Sequence, residues 1–105
     1  MKKKKTYRSA RPFVDKLLKD PSIRMHFEEE RAKTEIAMAV RNARIHAGLT
    51  QVELAKAAET TQAVVSRIES GTDSRMPSLM LLARIAAACH GKLMFGFEFK
   101  KKSAA

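Results

Sequence analysis

The chain has 105 residues, 45% of them hydrophobic, which suits one domain with a modest core. Its single cysteine, Cys89, excludes an internal disulfide and any zinc site built on several thiolates. No window approaches the roughly 18 consecutive apolar residues of a membrane span, and no apolar signal segment follows the N-terminal lysines, so we expect a cytoplasmic protein without a membrane partner.

The net charge of +10 is concentrated at the two ends of the chain. Residues 1–11 hold six basic residues and no acidic one, and Lys100–Lys102 add three more. The remaining twelve basic residues face all 11 acidic ones, so the body is almost neutral. The total charge is therefore weak support for nucleic-acid binding. We predict a basic arm over 1–11 and a tail over 101–105, either of which can equally be simply solvated.

Residues 12–33 are predicted to form a helical extension. A short amphipathic helix over Arg11–Lys19 has apolar residues at helical spacing: Phe13, Val14, Leu17 and Leu18. Asp20 can cap a second helix whose first residue is Pro21. That helix continues unbroken toward Gly48 or breaks near residues 33–34, and the pattern favours neither outcome clearly.

Two short helices follow within 22 residues. Thr50 and Glu53 have the spacing of a capping box, which predicts a helix from Gln51 to about Ala58. Thr61 can cap the next helix, Gln62–Ser70, and the glycine at 71 can end it.

A final helix is predicted over Ser78–His90, ended by Gly91. Its inward-facing residues are expected to be Leu79, Leu82, Ile85, Ala86 and Cys89.

The short helices are joined by about three residues, a spacing that makes them cross steeply as in a helix-turn-helix. Ala55 is small enough for a close approach, and the inner contact would come from Leu54, Val65 and Ile68. The outer side of the second helix presents Gln62, Ala63, Ser66 and Arg67. In a major groove, glutamine can bond adenine and arginine can bond guanine, each with two hydrogen bonds. The alternative is a helical corner that binds only protein.

The segment KLMFGFEFK, Lys92–Lys100, alternates in the period of a β-strand. Its apolar face would consist of Leu93, Phe95, Phe97 and Phe99. Because a helical chain offers no partner strand, we expect antiparallel pairing with the same strand of a second copy, giving a homodimer. This pairing would set two recognition helices about 34 Å apart, the spacing of successive major grooves.

No pattern indicates catalysis, a metal site or a cofactor. The histidines, His26, His46 and His90, lack ligand spacing, and Cys89 is expected to be a small core residue. No carboxylate pair, activated nucleophile or glycine-rich phosphate loop stands out. We therefore expect a protein that is not an enzyme and that uses no metal or cofactor.

The stretch LTQVELAKAAETTQAVVSRIESG, Leu49–Gly71, resembles the helix-turn-helix of the XRE family, which contains the lambda-type repressors. The resemblance implies an all-α, lambda repressor-like bundle over 34–91. Together with the patterns above, it predicts that bundle with an N-terminal helical extension and one C-terminal β-strand used for dimerisation, and with double-stranded operator DNA as a partner.

The same resemblance assigns roles to individual residues. Gln51 braces a phosphate and can contact Gln62, and Arg44 with Glu69 forms a buried salt bridge. The base-reading positions carry Gln62, Ala63 and Arg67, with Ser66 beside them. Thr61 at the helix start and Arg75 in the following loop complete the DNA-binding set. The departure is Glu59, where the family usually has a glycine with positive φ.

A wider likeness covers about residues 12–99. The sequences FVDKLLKDPSIRMHFEEE and RIAAACHGKLMFGFE resemble HigA-type antitoxins of type II toxin-antitoxin modules. This resemblance implies neutralisation of a RelE-like mRNA endonuclease toxin and repression of the protein's own operon. Because such a toxin is basic, Glu28, Glu29 and Glu30 are candidate toxin-binding residues, although they can equally form a solvated helix face. A stand-alone regulator and a protein-binding module that uses the helix-turn-helix as a scaffold remain alternatives.

Overall fold

A computed structural model of the chain describes the backbone of residues 2–100 and the side chains of residues 10–100. Within this range the chain forms five helices: α1 Lys2–Leu17, α2 Pro21–His46, α3 Gln51–Ala57, α4 Gln62–Ser70 and α5 Leu79–Ala88. Over the same range, no helix has both the length and the apolar character needed to cross a membrane.

Helix α1 starts much earlier than the pattern predicted. It begins at Lys2 rather than at Arg11, and Pro12 lies inside it. Lysine, arginine and alanine are good helix formers, so the basic segment can continue the helix toward the N-terminus. The predicted limit between arm and extension, at residue 11, therefore falls within one helix, and the predicted tail over 101–105 lies outside the described residues.

Helix α2 is a single element of 26 residues. Asp20 caps it by accepting the N–H of Ser22 at 3.0 Å, and Pro21 is its first residue, as predicted. The Ser22 hydroxyl and N–H hold the pKa of Asp20 below its ordinary value. The alternative of a break near residues 33–34 is wrong. Arg31 bridges Glu28 and Glu35 at 3.3 and 3.1 Å, spacings that support an exposed helix through this polar stretch.

The caps of α3 and α4 are confirmed. The Glu53 N–H donates to Thr50 Oγ1 at 3.1 Å, and the Thr50 N–H donates to Glu53 Oε1 at 2.8 Å. The N–H of Val64 donates to Thr61 Oγ1 at 3.2 Å. Gly71 has a φ of 68° and closes α4 in the left-handed conformation. These local contacts set where both short helices begin and where the second ends.

The core lies where α2, α3, α4 and α5 meet. Its buried residues include the three that were predicted for the inner contact of the short helices and Ala55, which was predicted to allow their close approach. The full cluster is Val40, Leu54, Ala55, Ala58, Val65, Ile68, Leu82 and Ile85. Leu54 and Val65 are completely buried. The second half of α2 therefore packs into the helix-turn-helix, whereas its first ten residues are all exposed.

The end of α5 differs from the prediction. The helix stops at Ala88, and His90 rather than Gly91 adopts the left-handed conformation, with φ of 64°. The Gly91 N–H donates to Ala86 O at 2.8 Å and closes the turn. Leu79, predicted to face inward, is exposed because it lies in the first turn, ahead of the buried Leu82.

The predicted strand is absent from the described residues. Residues 91–100 have no regular secondary structure, although Leu93 packs against the core. The side chains of Phe95, Phe97 and Phe99 are 76%, 85% and 83% exposed. A strand needs a second extended segment for its backbone groups, and the described part of this chain contains none. The alternating pattern is therefore not used within a single chain.

Candidate DNA-binding surface

Helix α4 presents one polar face to solvent. Val65 and Ile68 are buried against the core, which turns the opposite side of the helix outward. The four side chains predicted for that side, Gln62, Ala63, Ser66 and Arg67, are all exposed. Because they recur at i and i+4 spacing, they form one continuous strip. This strip has the length and polarity of a recognition surface.

A nearly buried ion pair fixes the orientation of α4. Arg44 Nε donates to Glu69 Oε2 at 2.7 Å, and Arg44 Nη2 donates to Glu69 Oε1 at 3.1 Å. The side chains are only 17% and 5% exposed. Arg44 Nη1 also donates to Leu49 O at 2.9 Å, and the hydrogen bonds to Glu69 raise the pKa of Arg44. Helix α2, the turn before α3 and the end of α4 are thereby joined, which is the pairing that the resemblance implies.

Gln51, the first residue of α3, belongs to the same network. Its Nε2 donates to Glu69 Oε1 at 3.3 Å, so its side chain is directed toward the end of α4. A hydrogen bond between Gln51 and Gln62 does not occur among the described residues. The sequence pattern missed the partnership with Glu69 because the two residues lie 18 positions apart.

Asp73 is a second residue that the sequence pattern did not reveal. Its Oδ2 lies 3.5 Å from Nε of Arg67, and its Oδ1 accepts the N–H of Arg75 at 3.0 Å. That backbone hydrogen bond, helped by the nearby charges of Arg67 and Arg75, holds the pKa of Asp73 below its ordinary value. An acidic residue in a polar loop gives no signal of such a contact from spacing alone. Asp73 therefore contacts the side chain of Arg67 and the backbone of Arg75, the two arginines predicted to bind DNA.

Arg84 supports the other end of the helix-turn-helix. Its Nε donates to Ala58 O at 2.9 Å and ties α5 to the end of α3. The sequence feature that could have indicated this contact is the position of Arg84 as a lone charged residue in the apolar run LLARIAAA. The hydrogen bond lies next to Glu59, which is exposed. Glu59 has a φ of 58°, so the left-handed turn expected at this position is confirmed.

The acidic run of α2 is largely paired within its own helix. Glu28 contacts Arg31 and Glu30 contacts Lys33, both at 3.3 Å, and these carboxylates are about half exposed. Their charge is thus partly compensated, which favours the solvated-face interpretation. Large apolar side chains are exposed nearby on α1 and the first half of α2: Phe13, Val14, Leu17, Ile23, Met25 and Phe27.

Comparison with known proteins gives one family match. The helix-turn-helix family model matches residues 40–93, slightly more than half of the chain. The match includes α3, α4 and α5 with both of the turns between them. Neither the curated proteins nor the solved structures gave a significant match.

Proposed function

Because the chain belongs to the XRE-type helix-turn-helix family of DNA-binding transcription regulators, we propose that it binds operator DNA sequence-specifically through α4. The observation that carries this proposal is the exposed strip of α4, held in place by the ion pair of Arg44 and Glu69. In a major groove, Gln62 at the helix start reads adenine and Arg67 reads guanine. Arg75 and Thr61 contact the backbone at either end of the strip.

The proposal is tested by substitutions in α4 that should remove the sequence preference of DNA binding and leave the fold intact. Replacing Gln62 and Arg67 by alanine should abolish the preference for a duplex selected from random sequences, while the helical circular dichroism spectrum stays unchanged. Arg24→Ala is the charge-matched control, because Arg24 is exposed on the first half of α2, outside the helix-turn-helix. Specific binding that survives the double substitution would refute the role of α4.

We further propose that two chains bind the operator as a homodimer joined by their C-terminal segments. Phe95, Phe97 and Phe99 are exposed, and an apolar groove of about 550 Å³ runs between α2, α5 and residues 92–96. Antiparallel pairing of two such segments would satisfy their backbone groups and cover the phenylalanines. The groove would receive side chains of the second copy.

Truncation can separate dimerisation from folding. Since Leu93 packs against the core, deletion of residues 94–105 keeps that contact while removing the phenylalanines. The shortened chain should be a monomer by sedimentation, with the melting temperature independent of concentration. Deletion of 101–105 alone is the control and should remain dimeric. A dimer that persists after the longer deletion would exclude the C-terminal interface.

The resemblance to HigA-type antitoxins supports a second role, in which the protein neutralises a RelE-like toxin and represses their shared operon. The observation that favours a protein partner is the exposed apolar surface of α1 and the first half of α2. Glu28, Glu29 and Glu30 follow Met25 and Phe27 along α2 and would meet a basic toxin by charge complementarity.

Two groups of substitutions can locate the contact. The product of the neighbouring gene should co-purify with the protein if it is the toxin. Charge reversal at Glu28, Glu29 and Glu30 should loosen that complex if the acidic run docks it, whereas replacing Met25 and Phe27 by serine should loosen it if the apolar surface does. Absence of any complex, with operator binding intact, would favour the stand-alone regulator.

A further inference from the structure

Asp73 connects the recognition helix to the loop that follows it. Helix α4 ends at Ser70 and is capped by Gly71, and across this turn the hydroxyls of Ser70 and Thr72 lie 2.7 Å apart. The reversal brings Asp73 Oδ2 within 3.5 Å of Arg67 Nε, while Oδ1 holds the N–H of Arg75 at 3.0 Å. One half-buried carboxylate therefore restrains both the exposed arginine of α4 and the backbone of the loop.

The contact is made at a nitrogen that base recognition does not require. Asp73 lies against Nε of Arg67, whereas end-on recognition of guanine N7 and O6 uses the two terminal amino groups of a guanidinium. An arginine that is already oriented by a carboxylate loses less side-chain freedom when it binds a base.

The same carboxylate opposes DNA binding in general. A negative charge beside the recognition helix repels the phosphates of any duplex, whatever its sequence. Asp73 would therefore weaken binding to all DNA but orient one base-reading side chain. Both effects increase the ratio of specific to non-specific affinity.

We propose that Asp73 is a positioning residue for base recognition, which holds Arg67 toward a guanine and thereby raises discrimination at that base pair while lowering affinity for all DNA. The inference rests on the proposed function, because it needs α4 in the major groove. The base that Arg67 contacts is a guanine in duplex DNA, and the effect of Asp73 on discrimination depends entirely on Arg67.

The experiment measures discrimination with the full chain. The duplex selected from random sequences by the unmodified protein is the reference, and the base pair whose preference is lost in Arg67→Ala identifies the contacted guanine. Asp73→Asn keeps an oxygen for the N–H of Arg75 but removes the charge. Since a bidentate contact is worth about 5- to 150-fold in discrimination, we expect Asp73→Asn to lower discrimination at that pair by about fivefold, and by no more than Arg67→Ala does. Affinity for an unrelated duplex should rise.

Two variants separate this effect from a simple change of charge. Glu59→Gln removes one exposed carboxylate from the turn before α4 and should raise affinity for every duplex without changing discrimination. In the Arg67→Ala background, Asp73→Asn should cause no further loss of discrimination.

Each outcome decides the proposal. A loss of discrimination that disappears in the Arg67→Ala background supports it. Unchanged discrimination, or an equal loss in that background, overturns it while the proposed function stands. If the unmodified protein selects no sequence, the proposed function and this inference both fail. If Arg67→Ala alone changes no preference, this inference fails, while α4 can still read the operator through Gln62.

Discussion

Replacing Glu69 by leucine tests whether the ion pair with Arg44 holds the helix-turn-helix together. The substitution keeps a side chain of similar size but removes both carboxylate oxygens that accept from Arg44, one of which also accepts from Gln51. Arg44 would keep only its bond to Leu49 O, and its charge would lose its partner in a site where it is 17% exposed.

The expected cost follows from this partial burial. Breaking a buried ion pair by removing one member costs about 3–5 kcal/mol, and some remaining solvent access of Arg44 favours the lower end, about 3 kcal/mol. A change of 1 kcal/mol shifts the melting temperature of a domain of this size by about 4–8 °C, so Glu69→Leu should lower it by at least about 12 °C.

Thermal and urea unfolding followed by circular dichroism would measure the loss. The control is Glu28→Gln, which breaks the exposed pair with Arg31 and should change the free energy of unfolding by less than about 0.5 kcal/mol. The double variant Arg44→Met with Glu69→Leu removes both charges and should recover much of the stability. A cost below about 1 kcal/mol for Glu69→Leu, or no recovery in the double variant, would refute this account of the pair.

Three further changes probe the caps and the turn. Glu59→Gly should stabilise the fold by about 1 kcal/mol, because φ is 58° there, and a lower melting temperature would contradict the strain. Thr61→Ala should cost about 1 kcal/mol by removing the acceptor of the Val64 N–H, with Ser66→Ala as the control on the same helix. The Thr50 N–H holds the pKa of Glu53 below its ordinary value of 4.5. As the pH falls, the Glu53 carboxylate of the unfolded chain is therefore protonated at a higher pH than that of the folded chain. The stability that Glu53 contributes is complete above its ordinary pKa and is lost as the pH falls through the lowered pKa. If the free energy of unfolding of Glu53→Gln falls with decreasing pH as steeply as that of the unmodified protein, this contribution is excluded.

The helix boundaries that could be predicted are those set by contacts within four residues. Thr50 with Glu53, Thr61 and Gly71 each act on backbone groups of their own turn, so their spacing alone located α3 and α4. The continuity of α2 could not be decided, because the stretch around residues 33–34 contains no glycine or proline and has surface charges that suit a helix as well as a loop.

The missing parts of the prediction depend on contacts between distant residues. Gln51 with Glu69, Arg67 with Asp73 and Arg84 with Ala58 each join different elements, so their pairing follows from the fold and not from the spacing. For the alternating C-terminal segment, the local pattern was clear but the predicted element did not form. Its pattern describes a strand, but a strand forms only where a second one is present.

Helix α2 has a consequence for how the protein opens. It is geometrically one helix, yet residues 21–31 are all exposed and the first buried residue is Ala37. We therefore expect amide hydrogens of the first half to exchange through local fraying, and those packed near the core after Ala37 to exchange more slowly, when the core opens. The result would be a step in hydrogen-exchange protection along this unbroken helix, close to the domain limit predicted at residues 33–34.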